Sequence, residues 1–128
     1  IIPSFAIFPD GRRMAFGLMG GGMQPQGHVQ IIVNMVDYGL NIQDAGDAAR
    51  WRHEGSAEPT GEAEQGVGTL HLEGGFPLAT REGLTRLGHM IGPSDGGFGG
   101  YQAILYDPEQ GVYHGASEMR KDGAAAGY

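Results

Sequence analysis

The sequence predicts an α+β domain, and three observations lead there. Short apolar runs flank turn signatures near both ends, at Pro9-Asp10-Gly11 and at Asp107-Pro108-Glu109-Gln110-Gly111, as β-hairpins do. Between these hairpins, apolar residues recur at helical spacing in about three segments. The 25 glycines of 128 residues show no period and fall between patterned stretches, which describes a loop-rich fold rather than a low-complexity linker. Strands at both ends with helices between them make a layered α+β arrangement.

Taken in order, Ser4 to Phe8 and Met14 to Met19 form the two strands of the first hairpin. From His28 to Tyr38 the positions Val29, Ile32, Val33 and Val36, continued by Leu40, keep helical spacing, with Ile31 and Met35 as a second stripe. The reading is a helix buried on most of its circumference and ended by Gly39. Asn41 then caps a second helix with Asp44 in its first turn, Ala45, Ala48 and Ala49 for close packing and Trp51 as the large anchor. His53 to Gly68, with Glu54, Glu58, Glu62 and Glu64, reads as a solvated acidic loop. Thr69 to Glu73 is a strand with Leu70 and Leu72 inward. A third helix starts near Pro77, aligns Leu84 with Leu87 and stops at Gly88. Residues 96–100 read as a mobile glycine loop, and Tyr101 to Tyr106 with Val112 to Ala116 form the second hairpin, its tyrosines 101, 106 and 113 on the hairpin faces.

The chemistry centres on Gly20-Gly21-Gly22, where an apolar strand runs into a helix. Glycines there allow positive φ and close approach of a ligand, and the freed N–H groups can face an anion or a developing oxyanion. An ordinary sharp turn fits the same residues. Just beyond lie Gln24, Gln26 and His28, which could touch an acceptor or a leaving group, or could serve helix entry by satisfying backbone groups. Asp37 and Arg50 read as a structural ion pair or cap rather than as an acid/base pair.

Other classes find less support. The five histidines are not spaced as metal ligands and cysteine is absent, so neither a metal nor another cofactor is expected. Ser4, Ser56, Ser94 and Ser117 lack a nucleophile-elbow context, and Gly22 is not followed by the Lys-Ser/Thr of a phosphate loop. A net charge of −7 with scattered Lys and Arg argues against nucleic acid. No apolar run reaches the ~18 residues of a membrane span, and no compartment can be assigned. The chain opens on Ile1-Ile2-Pro3 without an initiator Met, which reads as a piece of a longer protein.

Met19-Gly20-Gly21-Gly22-Met23-Gln24-Pro25-Gln26-Gly27-His28, then Val33 to Asn41, Asp47-Ala48-Ala49-Arg50, Gly115-Ala116-Ser117 and Ala126-Gly127-Tyr128 resemble, in order, the C-terminal part of the small subunit of the γ-glutamyltransferases (γ-glutamyltranspeptidases). The wording Met-Gln-Pro-Gln-Gly-His is similar to the γ-glutamyltransferase-like or acylase-like branch. The resemblance implies that residues 1–128 are one fragment of an N-terminal-nucleophile hydrolase αββα sandwich. It also implies a nucleophile outside this chain, a threonine exposed by self-cleavage upstream whose free amine serves as base.

In that family a Gly-Gly pair after a proline contributes to the oxyanion hole, and the pair falls on Gly20 and Gly21, with Met19 in place of the proline. Pro3 falls on the proline after the family's substrate-contacting Ser-Ser pair, whose positions come just before Ile1. The implied parent passes a γ-glutamyl or related acyl group from an amide, glutathione for example, to water or an amine. Its implied partners are the γ-glutamyl amide substrate, the missing large subunit and the N-terminal part of the small subunit. The isolated fragment is expected to be inactive and to self-associate. The alternatives are a cephalosporin or glutaryl-type acylase of the same superfamily and a non-enzymatic anion-binding module.

Overall fold

The computed structural model describes residues 2–55, 66 and 68–127, and among them the chain forms two compact units, 1–48 with 99–128 and 49–98. In the first unit, strands β1 (Ser4–Ile7) and β2 (Arg13–Met19) form the expected antiparallel hairpin. Its turn is held by the Phe8 N–H on the Arg12 carbonyl, 2.9 Å, and by the Arg12 N–H on Asp10 Oδ1, 3.0 Å. Strands β6 (Gly100–Asp107) and β7 (Val112–Ser117) form the second hairpin, where the Asp107 carboxylate accepts from the N–H groups of Glu109 and Gln110. Pairing of β2 with β6 joins the hairpins into one antiparallel sheet in the order β1-β2-β6-β7.

Alternation along β2 sends Met14, Phe16 and Leu18 to one face. Helix α1 (Met23–Val36) covers that face with Met23 and Ile31, and Ile42, Tyr101, Ala103, Leu105 and Ala116 complete the core. Tyr101 is buried there, whereas the Tyr106 and Tyr113 rings stack across the second hairpin with centroids 5.0 Å apart.

Helix α1 departs from expectation twice. It starts at Met23 rather than near His28, because Pro25 stands in the first turn, where an N–H has no intrahelical partner to lose. Nor is it buried on most of its circumference. Val29 and Val36 are 58% and 61% exposed, since only one side of the helix meets the sheet. Gly39 takes φ +69° at its end as expected. Helix α2 (Ile42–Asp47) is capped by Asn41, whose side chain accepts from Gln43 and Asp44 N–H. It ends before Ala49, and the buried Glu118 paired with Arg120 secures it, the Arg120 guanidinium donating to the carbonyls of Gly46 and Ala48 at 2.9 Å.

In the second unit, β3 (Trp51–Glu54) pairs antiparallel with β4 (Thr69–Leu72), and β4 pairs parallel with β5 (Met90–Gly92) across helix α3 (Leu78–Arg86). Strands β3 and β5 and the parallel crossover are not expected from the sequence. Trp51 opens β3 instead of anchoring α2. In β4, His71 is as buried as Leu72, so the inward Leu70/Leu72 alternation holds only in part. Helix α3 follows Pro77 and ends before Gly88, φ +94°, as expected, but Leu87 is exposed while Leu84 is half-buried. The glycines at 96–100 are not simply a mobile loop, because Phe98 is buried and Gly100 already belongs to β6. Arg50 is buried, its N–H on the Glu73 carboxylate and its guanidinium on the Phe98 carbonyl, both 2.9 Å, whereas Asp37 is exposed as the C-cap of α1. The acidic stretch falls mainly on 56–65, outside the described residues.

Candidate active-site turn

The three glycines stand where β2 hands over to α1. Gly20 has φ +135° and Gly21 φ +58°, both in the region that favours glycine, while Gly22 is the helical N-cap at φ −63°. The Met23 and Gln24 N–H groups bond back to the carbonyls of Gly20 and Gly21 at 3.0 and 3.1 Å, turning those carbonyls toward the helix. Among the described residues no protein acceptor takes the N–H of Gly20, Gly21 or Gly22, and all three glycines are exposed. Free donors at the positive end of a 14-residue helix with no acidic residue in its first turn favour a negative charge at this turn.

The turn is seated from the far end of the chain. A Cβ on Gly20 would lie 3.1 Å from Gly99 Cα and 3.3 Å from Met23 Cβ, whereas one on Gly21 or Gly22 meets nothing within 4 Å. Met19 keeps its ladder position opposite Gly100. On the sheet face away from α1, a groove of about 630 Å³ runs past Ile2, Ala15, Met19, Gln24, Gln102 and Ile104.

Gln24, Gln26 and His28 all lie in α1 rather than in a loop before it. Gln24 Nε2 donates to the Gly21 carbonyl, 3.3 Å, and its Oε1 accepts from Ile2 N–H, 2.9 Å. Gln26 Nε2 donates to the Gly22 carbonyl at 3.4 Å. His28 turns inward, its ring edge-on to Phe16, with Nε2 accepting from Leu18 N–H at 3.1 Å and Nδ1 at 3.0 Å from Ser4 Oγ. Burial holds this imidazole below its ordinary range.

The Ser4–His28 pair joins residues 24 positions apart with no sequence signature, and its proton arrangement decides what it can do. Because Nε2 accepts, the neutral ring carries its proton on Nδ1 and donates to Ser4 Oγ. A base activating that hydroxyl needs the reverse. Ser4 is therefore a partner of His28 and not a nucleophile made by it. Elsewhere, in the second unit, Arg52 bonds Glu54 and Asp95, while His71 donates its Nδ1–H to the Pro93 carbonyl at 2.9 Å and lies 3.3 Å from Glu54, a polar cluster bridging its strands.

The sequence profile of the gamma-glutamyltranspeptidase family matches residues 1–128. The chain is 36% identical over 118 residues to the glutathione hydrolase-like YwrD proenzyme of Bacillus subtilis, covering 90% of this chain and 21% of that protein. It is 33% identical over 129 residues to the oxamate amidohydrolase proenzyme of Klebsiella pneumoniae, covering 98% and 23%. Among solved structures it superposes on a cephalosporin acylase from Bacillus halodurans with a TM-score of 0.73 at 40% identity, over 89% of this chain and 20% of that one. Its TM-score to the Bacillus anthracis transpeptidase CapD is 0.78 at 22% identity, over 99% and 70%, a likeness of fold alone. The chain spans about a fifth of the length of these curated relatives. These matches bear out the α+β class and its place within the N-terminal-nucleophile hydrolase fold. Residues 1–128 belong to the gamma-glutamyltranspeptidase family.

Proposed function

We propose that this chain is the C-terminal portion of the small, catalytic subunit of an amide-cleaving acyltransferase or hydrolase, and that Gly20 and Gly21 supply backbone donors to its oxyanion hole. The observation that carries this reading is the turn itself, with adjacent positive-φ glycines at the start of α1 whose N–H groups no acceptor takes among the described residues. Such donors stabilise charge that develops on a carbonyl oxygen in the transition state. The parent enzyme moves a γ-glutamyl or related acyl group from an amide to water or an amine through an N-terminal threonine upstream. Its acyl substrate lies along the groove beside Met19 and Gln24. By this reading the chain alone holds donors without a nucleophile, and its partners are the large subunit and the rest of the small subunit. A cephalosporin-type acylase activity is the second reading, favoured by the 40% identity to the Bacillus halodurans enzyme.

Steady-state kinetics of Gly20→Ala, Gly21→Ala and Gly22→Ala in the full-length, self-cleaved parent test the proposal on a γ-glutamyl anilide and on a glutaryl amide. The first two variants are expected to lose roughly a hundredfold in kcat, the range for one oxyanion donor, with smaller changes in KM. Gly22→Ala should be mild, because φ −63° and open space accept a methyl group. Equal, small losses in all three would reduce the glycines to a chain turn. Preference for the glutaryl amide would select the acylase reading.

A further inference from the structure

The strand that delivers Gly20 and Gly21 runs beyond its neighbour. In the β1–β2 register Ser4 pairs with Phe16, and Phe8 N–H bonds the Arg12 carbonyl, so the alternate positions toward Leu18 are the hydrogen-bonded ones. Continuing that register sets Leu18 opposite Ile2. However, β1 begins at Ser4, and Ile2 gives its N–H to Gln24 instead. The buried Leu18 N–H would be left without its ladder carbonyl, and His28 Nε2 takes the place of that acceptor at 3.1 Å.

We propose that His28 is a pH-sensitive positioning residue, whose neutral ring fixes the end of β2 and thereby the Gly20–Gly21 turn. This inference rests on the oxyanion reading of that turn. Protonation would put an N–H on Nε2, facing the Leu18 N–H donor to donor, and the bond would be lost. Ser4 on β1 and Phe16 and Leu18 on β2 pack against the ring. Phe5, Ala6 and Ile7 of β1 and Val29, Ile32 and Val33 of α1 line the adjoining hollow. None of these groups titrates, so among the described residues nothing beside the ring compensates an imidazolium. Burial accordingly lowers its pKa. The sign follows: with the folded-state value depressed, the neutral form and its bond are fully present above the ordinary histidine value and are lost as pH falls through the folded one.

The test compares the wild type, His28→Gln, His28→Leu and Gly21→Ala in the full-length, self-cleaved parent between about pH 8 and about pH 5, either side of the histidine range. Gln can place Oε1 where Nε2 stands and accept from Leu18 at every pH, and Leu can accept at none. At the upper pH, His28→Gln should keep kcat within about threefold, while His28→Leu loses roughly tenfold in kcat with little change in KM, a part of the loss of one oxyanion donor. Toward the lower pH the kcat ratio of His28→Gln to wild type should rise roughly tenfold, the titration of the shared nucleophile cancelling in the ratio. Amide exchange of Leu18 in the unvaried parent gives a readout that needs no variant to fold. Its protection, corrected for intrinsic rate, should fall with pH alongside kcat.

A pH-independent ratio, wild-type kcat in His28→Leu, or unchanged Leu18 protection overturns the positioning role. Each does so without touching the oxyanion reading as long as Gly21→Ala loses turnover. Full turnover in Gly21→Ala overturns the oxyanion reading itself, and the link from His28 to catalysis with it.

Discussion

Leu18 fills a notch walled by two glycines, one from each end of its unit. A Cβ on Gly27 would come within 2.5 and 2.7 Å of its methyl carbons, and a Cβ on Gly99 would strike Leu18 as well and approach the Met19 carbonyl to 2.5 Å. With only 1% of Leu18 exposed, its side chain has nowhere to retreat. Gly27→Ala therefore sets two effects against each other. Replacing a helical glycine favours folding by about 1 kcal/mol, whereas overpacking a filled core costs about 1–3 kcal/mol. The contact is with two methyl groups of a confined side chain, so the overpacking should win. Thermal unfolding should show a lower Tm for Gly27→Ala than for the wild type. A raised Tm would mean that Leu18 has room, and its part in seating the glycine turn would then be smaller than the geometry indicates.

Among the elements, α2 shows most directly how a local signal fixes a segment too short to be stable alone. Asn41 Oδ1 accepts from Gln43 and Asp44 N–H, both at 2.9 Å, and places Ile42 and Ala45 in the core. Asn41→Ala should cost about 1 kcal/mol, seen as a lower denaturant midpoint at unchanged m, and Asn41→Asp should restore most of it. An unmoved midpoint in the alanine variant would assign α2 to packing alone. Signals of this local kind are what the sequence displays. Both hairpins are legible because their turn residues lie between their strands, and the cap at Asn41 and the stop at Gly39 are legible for the same reason. Strands β3 and β5 are not. Trp51-Arg52-His53-Glu54 is short and mostly polar, and its partner β4 lies beyond the acidic stretch, so no adjacent turn announces the pair. The positive φ of Gly20 and Gly21 could be anticipated from the residue type. The bond from Leu18 to His28 could not, because it depends on where β1 begins.

At the scale of the molecule, the first unit leaves apolar side chains in water. Phe5 and Ile7 on the edge strand β1 are 64% and 73% exposed, and Val29 and Val36 lie bare on α1. An open edge with apolar side chains invites strand pairing and face-to-face contact. Covering four such side chains gains roughly 1.5–3 kcal/mol each, of the order of the 4–15 kcal/mol that association costs, so the balance favours a weak complex. The net charge of −7 opposes like copies and is screened by salt. Purified residues 1–128 should therefore self-associate weakly, and more so in higher salt. Ile7→Lys, which places a charge on the edge strand, should weaken the complex. Sedimentation equilibrium with and without added salt measures both effects. A monodisperse monomer at high concentration and high salt would show that these side chains cost little when solvated. Salt-promoted association relieved by the lysine variant would place the contact on β1, next to the strand that carries the glycine turn.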